Sequence, residues 1–130
     1  YRTAGMDPSS VREFLHDMAS EYAAADLVLS RSGAMTAAEI AAAGRPALLV
    51  PFAAATHGHQ EANARALERA GAAVVVTEAE ASSERLADEL ASLLSDPARL
   101  ATRGEAARTL ARPDAAARFC DAVLDVEERS

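Results

Sequence analysis

Three continuous apolar runs constrain this chain more than any other feature. "ADLVLSR" spans residues 25–31, "PALLVPF" 46–52 and "AAVVVT" 72–77, and each is followed by a helical pattern. A strand that is apolar at successive positions must be covered on both faces, because neighbouring side chains point to opposite sides of a sheet. Strands of that kind alternating with helices imply parallel βαβ units with right-handed crossovers. The expected fold is therefore α/β, a Rossmann-like, doubly wound parallel sheet. The first helix between strands, Ala34–Ala43, is almost wholly Ala and Ile and is closed by Gly44 and Pro46, the usual stop signals. The second is expected over His59–Ala70, ended by Gly71, after a polar loop near Thr56–Gly58. A short helix over Asp17–Ala24 leads into the first long run, and Val11–Leu15 is expected to be a short strand before it. Helices over about Ser83–Leu94, Ala98–Leu110 and Pro113–Glu127 finish the chain.

At 130 residues with half of them apolar, the chain is long enough for one domain with a real core, and no internal linker divides it. A formal charge of −7 with 4% aromatic residues argues against a nucleic-acid surface, which needs a concentrated basic face. The longest apolar run, Pro46–Ala55, is too short to cross a bilayer, and no basic-then-apolar leader opens the chain. Its beginning at Tyr1, with no strand signal up to Ser10, reads as a piece cut from something longer. A single cysteine, Cys120, excludes an internal disulfide; placed in a helical pattern, it is expected to be a buried thiol in a reducing, cytoplasmic setting.

In an open parallel sheet, ligands bind beyond the carboxyl ends of the strands, and the polar residues of this chain gather there. Arg31-Ser32-Gly33 leads straight into the amino end of the alanine helix. Free backbone N–H groups and the helix dipole favour an anion such as phosphate at that point, and Gly33 lets it approach closely. Ser32 is a second donor, or simply an N-cap worth about 1 kcal/mol. Thr36 and Glu39 share one face of the helix, three residues apart. Thr36 would either meet the ligand or bond back to its own helix. Glu39 would accept hydrogen bonds from a vicinal diol, as on a ribose, or sit at a solvated helix edge, since an unpaired buried carboxylate is costly.

A second cluster, "THGHQEANA" at residues 56–64, puts Gln60 and Asn63 on one face in the first turn of the next helix. Amides there suit sugar hydroxyls. His57 and His59 have no nearby Cys or spaced acidic partner, so they make a weak metal signal. Neither a nucleophile elbow nor a Walker loop, a Cys-x-x-Cys pair or a His-Glu-x-x-His helix is present. The visible residues form a binding set; catalytic residues stay unassigned and no metal site is expected.

The segment "FLHDMASEYAAADLVLSRSGAMTAAEIAAAGRPALLVPF", followed by "HGHQEANARALERAGAAVVV", resembles the carboxyl-terminal half of the MurG family. These are the bacterial UDP-N-acetylglucosamine:lipid I N-acetylglucosaminyltransferases of peptidoglycan synthesis, in glycosyltransferase family 28. The resemblance covers nearly the whole chain, and its most specific parts are "SRSGAMTAAEIAAAGRPALLVPF" and the "HQEANA" helix start. It implies the carboxyl-terminal, nucleotide-sugar-binding domain of a two-domain GT-B enzyme, truncated at its amino end. Phe14, Leu15 and Met18 would lie beside the uracil, with the Leu15 main chain pairing to the base edge; from the residues alone they would equally be core packing at a strand end. By the same resemblance Ser32, Gly33, Ala34, Met35 and Thr36, with Arg31 next to them, surround the diphosphate. Glu39 takes the ribose hydroxyls, and His59, Gln60 and Asn63 address the N-acetylglucosamine. Some members carry Gln-Gln where this chain has His59-Gln60.

The implied reaction is an inverting transfer of N-acetylglucosamine from UDP-N-acetylglucosamine to lipid I, giving lipid II, with no metal or other cofactor. The lipid acceptor, a peripheral contact with the cytoplasmic face of the inner membrane, and the general base would belong to an amino-terminal domain preceding Tyr1, and this chain alone should not turn over. Other readings are a different GT-B enzyme using a UDP-sugar, a free-standing nucleotide-sugar-binding subunit with a membrane partner, and a degenerate Rossmann-like interaction domain that binds no UDP.

Overall fold

The computed structural model describes residues 7, 10–54 and 58–128. Three short strands, β1 (Val28–Ser30), β2 (Ala47–Leu49) and β3 (Ala73–Val75), form a parallel sheet in the order β1-β2-β3. Helix α1 (Met18–Ala24) precedes β1; α2 (Ala34–Ala43) links β1 to β2, and α3 (His59–Arg69) links β2 to β3. Helices α4 (Ser83–Leu94), α5 (Pro97–Arg108) and α6 (Ala115–Glu128) complete the chain.

The continuous apolar runs are buried from both sides, as parallel strands require. Ala47 and Leu49 face a cluster that includes Ile40 of α2, Ala64 and Leu67 of α3, Tyr22 of α1 and Ala107 of α5. Leu48, between them, points the other way and packs with Val76 and Leu93, against Leu86 and Leu90 of α4 and Leu100 of α5. Crossovers of one hand place both connecting helices, α2 and α3, on the same face of a sheet in this order. The alanines of α2 let it fit closely between the sheet and its helical neighbours. Helix α2 ends at Gly44, whose left-handed φ of 63° carries the cap bonds from Gly44 N–H to Ala41 O (3.1 Å) and from Arg45 N–H to Ile40 O (3.2 Å).

Three sequence expectations fail here. Val11–Leu15 is not a strand: the sheet among the described residues contains only β1, β2 and β3, so this segment has no neighbour to complete a ladder. It is also not core, with Phe14 69% and Val11 40% exposed. Instead it runs over the surface into α1, where Arg12 pairs with Glu21 and Asp17 caps the helix by accepting the Ser20 N–H at 3.1 Å. Cys120 is exposed, not buried. It lies on α6, whose described side chains contribute to neither core cluster and which leaves Phe119 70% exposed. Helical periodicity located that helix but could not say whether anything packs on it. Ser32, finally, is not an N-cap, for reasons that belong to the site. The loop at Thr56 and His57, and most of the stretch up to Ser10, lie outside the described residues. Among the described residues no helix is long and apolar enough to cross a membrane.

Candidate functional site

Because the strands are parallel, their carboxyl ends share one edge, and the segments that leave them (31–33, 50–54 and 76–80) meet there. Two helices begin at this edge, and both begin unusually. Helices α1, α4 and α5 are capped by side chains, with Asp17, Ser82 and Asp96 accepting backbone N–H groups at 3.0 to 3.1 Å. Helix α2 starts at Gly33 and α3 at Gly58, neither with a side-chain cap. The first-turn N–H groups of α2 therefore face outward without a side-chain acceptor, at the positive end of the helix dipole.

Gly33 itself is informative. Its φ is −59°, open to any residue, and the nearest atom to a Cβ placed on it would be Thr36 Oγ1 at 4.0 Å. Neither backbone strain nor crowding requires a glycine at this position. The space a side chain would fill lies in front of the uncapped helix end, where an anion would approach the backbone.

The neighbouring cap candidate is committed elsewhere. Ser32 is fully buried, and its hydroxyl donates to Gln60 O at 2.7 Å. Asn63 Nδ2 donates to Ser32 O at 3.1 Å, and Gln60 Oε1 accepts the Phe52 N–H at 3.0 Å. Thus Ser32, Gln60 and Asn63 do come together, with half of each amide stitching the β1–α2 turn, the β2–α3 loop and the start of α3 into one unit. The other half of each, Gln60 Nε2 and Asn63 Oδ1, has no partner among the described residues. His59 opens α3 and is exposed.

Arg31 is a strut across this edge. Its Nη2 donates to Glu78 Oε1 at 2.7 Å, its Nη1 lies 3.3 and 3.4 Å from the carbonyls of Val50 and Pro51, and its guanidinium sits 5.5 Å from the centre of the Phe52 ring. Glu78 Oε2 accepts the Ala53 N–H at 3.0 Å. This arrangement ties the segments after all three strands together, and Glu78 was not among the residues singled out from sequence. The Ala53 N–H and then the Arg31 guanidinium hold the Glu78 carboxyl below its ordinary value of 4.5. A depressed carboxylate contributes stability that is present above the unfolded value and is lost as pH falls through the folded one. Below about pH 4.5, the advantage of the parent over Glu78→Gln in thermal unfolding should therefore shrink; a gap unchanged down to pH 3 would refute the strut.

On the far side of α2, Glu39 is half-buried and Tyr22 is 8% exposed. The Tyr22 hydroxyl donates to Glu39 Oε2 at 3.1 Å. Burial, the hydrogen bond to Glu39 and the charge of that carboxylate push the Tyr22 phenol up to about 12. Met18, Tyr22 and Glu39 line a cavity of about 430 Å³ between α1 and α2. The partner that Glu39 needed is thus a residue sequence reasoning overlooked; the signal available was a tyrosine among alanines, whose hydroxyl must find an acceptor once buried. Thr36 is half-buried, and its hydroxyl has no partner among the described residues. Ala34 and Met35 are exposed on the first turn of α2, Met35 at 73%. Phe14 stacks at a tilt on His16, 4.8 Å between ring centres, while Leu15 is half-buried and Met18 38% exposed. Among the described residues no group of three or more His, Cys, Asp or Glu side chains is arranged to hold a metal ion.

The model of the glycosyltransferase family 28 C-terminal domain matches residues 2–119. The chain belongs to this family. Sequences with the same pattern include transferases named UDP-N-acetylglucosamine–N-acetylmuramyl-(pentapeptide) pyrophosphoryl-undecaprenol N-acetylglucosamine transferase. That of Anaeromyxobacter sp. (strain Fw109-5) is 45% identical over 99% of this chain and 34% of its own length. That of Xanthomonas axonopodis pv. citri (strain 306) is 50% identical over 95% of this chain and 29% of its own. The Halorhodospira halophila protein is 53% identical over 88% and 32%. The crystal structure of Acinetobacter baumannii MurG superimposes with a TM-score of 0.81 at 35% identity, covering 88% of this chain and 33% of that one. This family 28 C-terminal domain therefore spans about a third of the length of the relatives it matches, and its parallel sheet is the Rossmann-like fold that the sequence implies.

Proposed function

We propose that this chain is the donor-binding part of an inverting N-acetylglucosaminyltransferase that moves the sugar of UDP-N-acetylglucosamine to lipid I, forming lipid II. The observation that carries the proposal is the amino end of α2, uncapped by any side chain and fronted by a glycine that neither strain nor crowding demands. The names of relatives 45–53% identical supply the substrate.

In this assignment the diphosphate lies on the N–H groups that follow Gly33, with Thr36 at its side. Glu39, about a turn further along α2, takes the ribose hydroxyls. Met18, the exposed Phe14 and the half-buried Leu15 form the platform for uracil, and the free halves of the Gln60 and Asn63 amides, with His59 next to them, face the sugar. Arg31 supports the diphosphate loop through its hold on Glu78 and the β2–α3 segment.

The C4 hydroxyl of the muramoyl sugar attacks the anomeric carbon on the face opposite the diphosphate. As the new C–O bond forms, the bond to UDP breaks and negative charge grows on the leaving oxygens. Fixed backbone dipoles at the end of α2 stabilise that charge more in the transition state than in the ground state. No cofactor is proposed. The hydroxyl proton passes to a general base, which we assign, with the lipid acceptor site and the peripheral attachment to the cytoplasmic face of the inner membrane, to the part of the relatives that this chain does not span.

Calorimetry with UDP tests the donor site. Glu39→Ala in the full-length protein should weaken UDP binding about tenfold, the loss of one hydrogen bond to a charged group, and lower the unfolding temperature by the few degrees that follow from leaving the buried Tyr22 hydroxyl without its acceptor. Equal affinities would remove Glu39 from the ribose site. Competition between UDP-N-acetylglucosamine and other UDP-sugars tests the donor's identity, and a preference for another sugar would overturn it.

A further inference from the structure

The two oxygens of Glu39 differ. Oε2 accepts the Tyr22 hydroxyl at 3.1 Å, while Oε1 has no partner among the described residues. Tyr22 comes from a different helix, is 8% exposed, and belongs to the core cluster with Ile40 and Leu49. Its ring is thus held by packing, and the hydroxyl at its tip is a fixed point for the carboxylate. From this geometry we infer that Tyr22 is a positioning residue for the donor site: it holds the Glu39 carboxylate in the orientation that receives the ribose diol. The inference rests on the assignment of Glu39 to the ribose.

A glutamate side chain has three rotatable bonds, and ordering it costs conformational entropy; a carboxylate already held by a buried partner does not incur that cost when the ligand binds. A carboxylate also has about four lone-pair sites, so the single bond from Tyr22 leaves capacity for both hydroxyls of a vicinal diol. In addition, the phenol, pushed up to about 12, stays protonated and remains a donor at every working pH. Were the pair only a strap between α1 and α2, an apolar contact would serve as well without half-burying a charge. The cavity of about 430 Å³ beside the pair, lined also by Met18, Ala42 and Ala43, leaves that side of α2 open to a ligand.

The experiment compares two ligands on the full-length protein: UDP, and 2′,3′-dideoxy-UDP, which lacks both ribose hydroxyls. The parent should prefer UDP by about tenfold, one charge-assisted hydrogen bond, and Glu39→Ala should erase that preference. Tyr22→Phe should cut the preference about threefold or more, consistent with the cost of ordering a free side chain, with dideoxy-UDP affinity unchanged. Tyr22→Met, which fills similar space without a hydroxyl, should behave alike and serves if the phenylalanine variant does not fold. A Tyr22→Phe protein that keeps the full preference, or that loses both ligands equally, overturns the positioning role while the Glu39 assignment stands. A parent that binds both ligands equally overturns the ribose assignment and the inference with it.

Discussion

Gly33→Val is expected to weaken UDP binding by about 100-fold or more, some 2.7 kcal/mol, while thermal stability changes by no more than about 1 kcal/mol. The two halves of this expectation come from the same geometry. At φ −59° and ψ 156° the backbone of Gly33 suits a β-branched residue, and among the described residues nothing but its two chain neighbours lies closer than 4.0 Å to the position of a Cβ. Removing a glycine there restricts the unfolded chain, which stabilises by about 0.4–1 kcal/mol and offsets the poorer fit of valine than glycine at the N-cap of α2. The same isopropyl group would stand in front of the amino end of α2, where the proposed diphosphate would have to come within hydrogen-bond distance of the backbone. Calorimetry on the full-length protein, paired with a thermal melt, reads both. Unchanged affinity would mean that the anion does not lie on α2, and the donor site would have to be sought elsewhere.

Gly104→Ala is expected to destabilise the fold by about 2–3 kcal/mol, the range of an overpacked contact, although helix propensity alone predicts a gain of about 1 kcal/mol for this change. Packing decides the sign. A Cβ on Gly104 would lie 2.6 Å from the Gly44 carbonyl oxygen and 3.7 Å from Pro46 Cδ. Gly44 cannot yield cheaply, because its left-handed φ of 63° and its bond to Ala41 O end α2 and lead the chain into β2. Helix α5 must therefore move away from α2, opening the cluster around Ala107 and Ile40. Urea unfolding should show a lower midpoint with an unchanged slope. A midpoint at or above that of the parent would show that α5 packs on α2 more loosely than described.

Several elements were legible in the residues because their signals are local. Helix α2 runs from Ala34 to Ala43, as the Gly44 stop implies, and α4 runs from Ser83 to Leu94 behind the Ser82 cap. The parallel sheet followed from three uninterrupted apolar runs, since no other arrangement of alternating strands and helices covers both faces. Val11–Leu15 misled for the complementary reason: a strand exists only if a neighbour supplies its hydrogen bonds, and composition carries no record of that neighbour. Cys120 misled similarly, because periodicity reveals a helix but not what lies against it.

The amino-acid order by itself determined the α/β class, the helix end set by Gly44, and the placing of Ser32, Gly33, Glu39, Gln60 and Asn63 near strand ends, where a parallel sheet gathers its polar residues. Only the tertiary structure decided what those side chains do. Ser32 gives its hydroxyl to a carbonyl 28 residues away instead of capping α2, Arg31 reaches 47 residues to Glu78, and Tyr22 reaches 17 residues to Glu39. Hydrogen bonds between residues so far apart in the chain depend on how the elements pack, and packing is settled by the whole core at once.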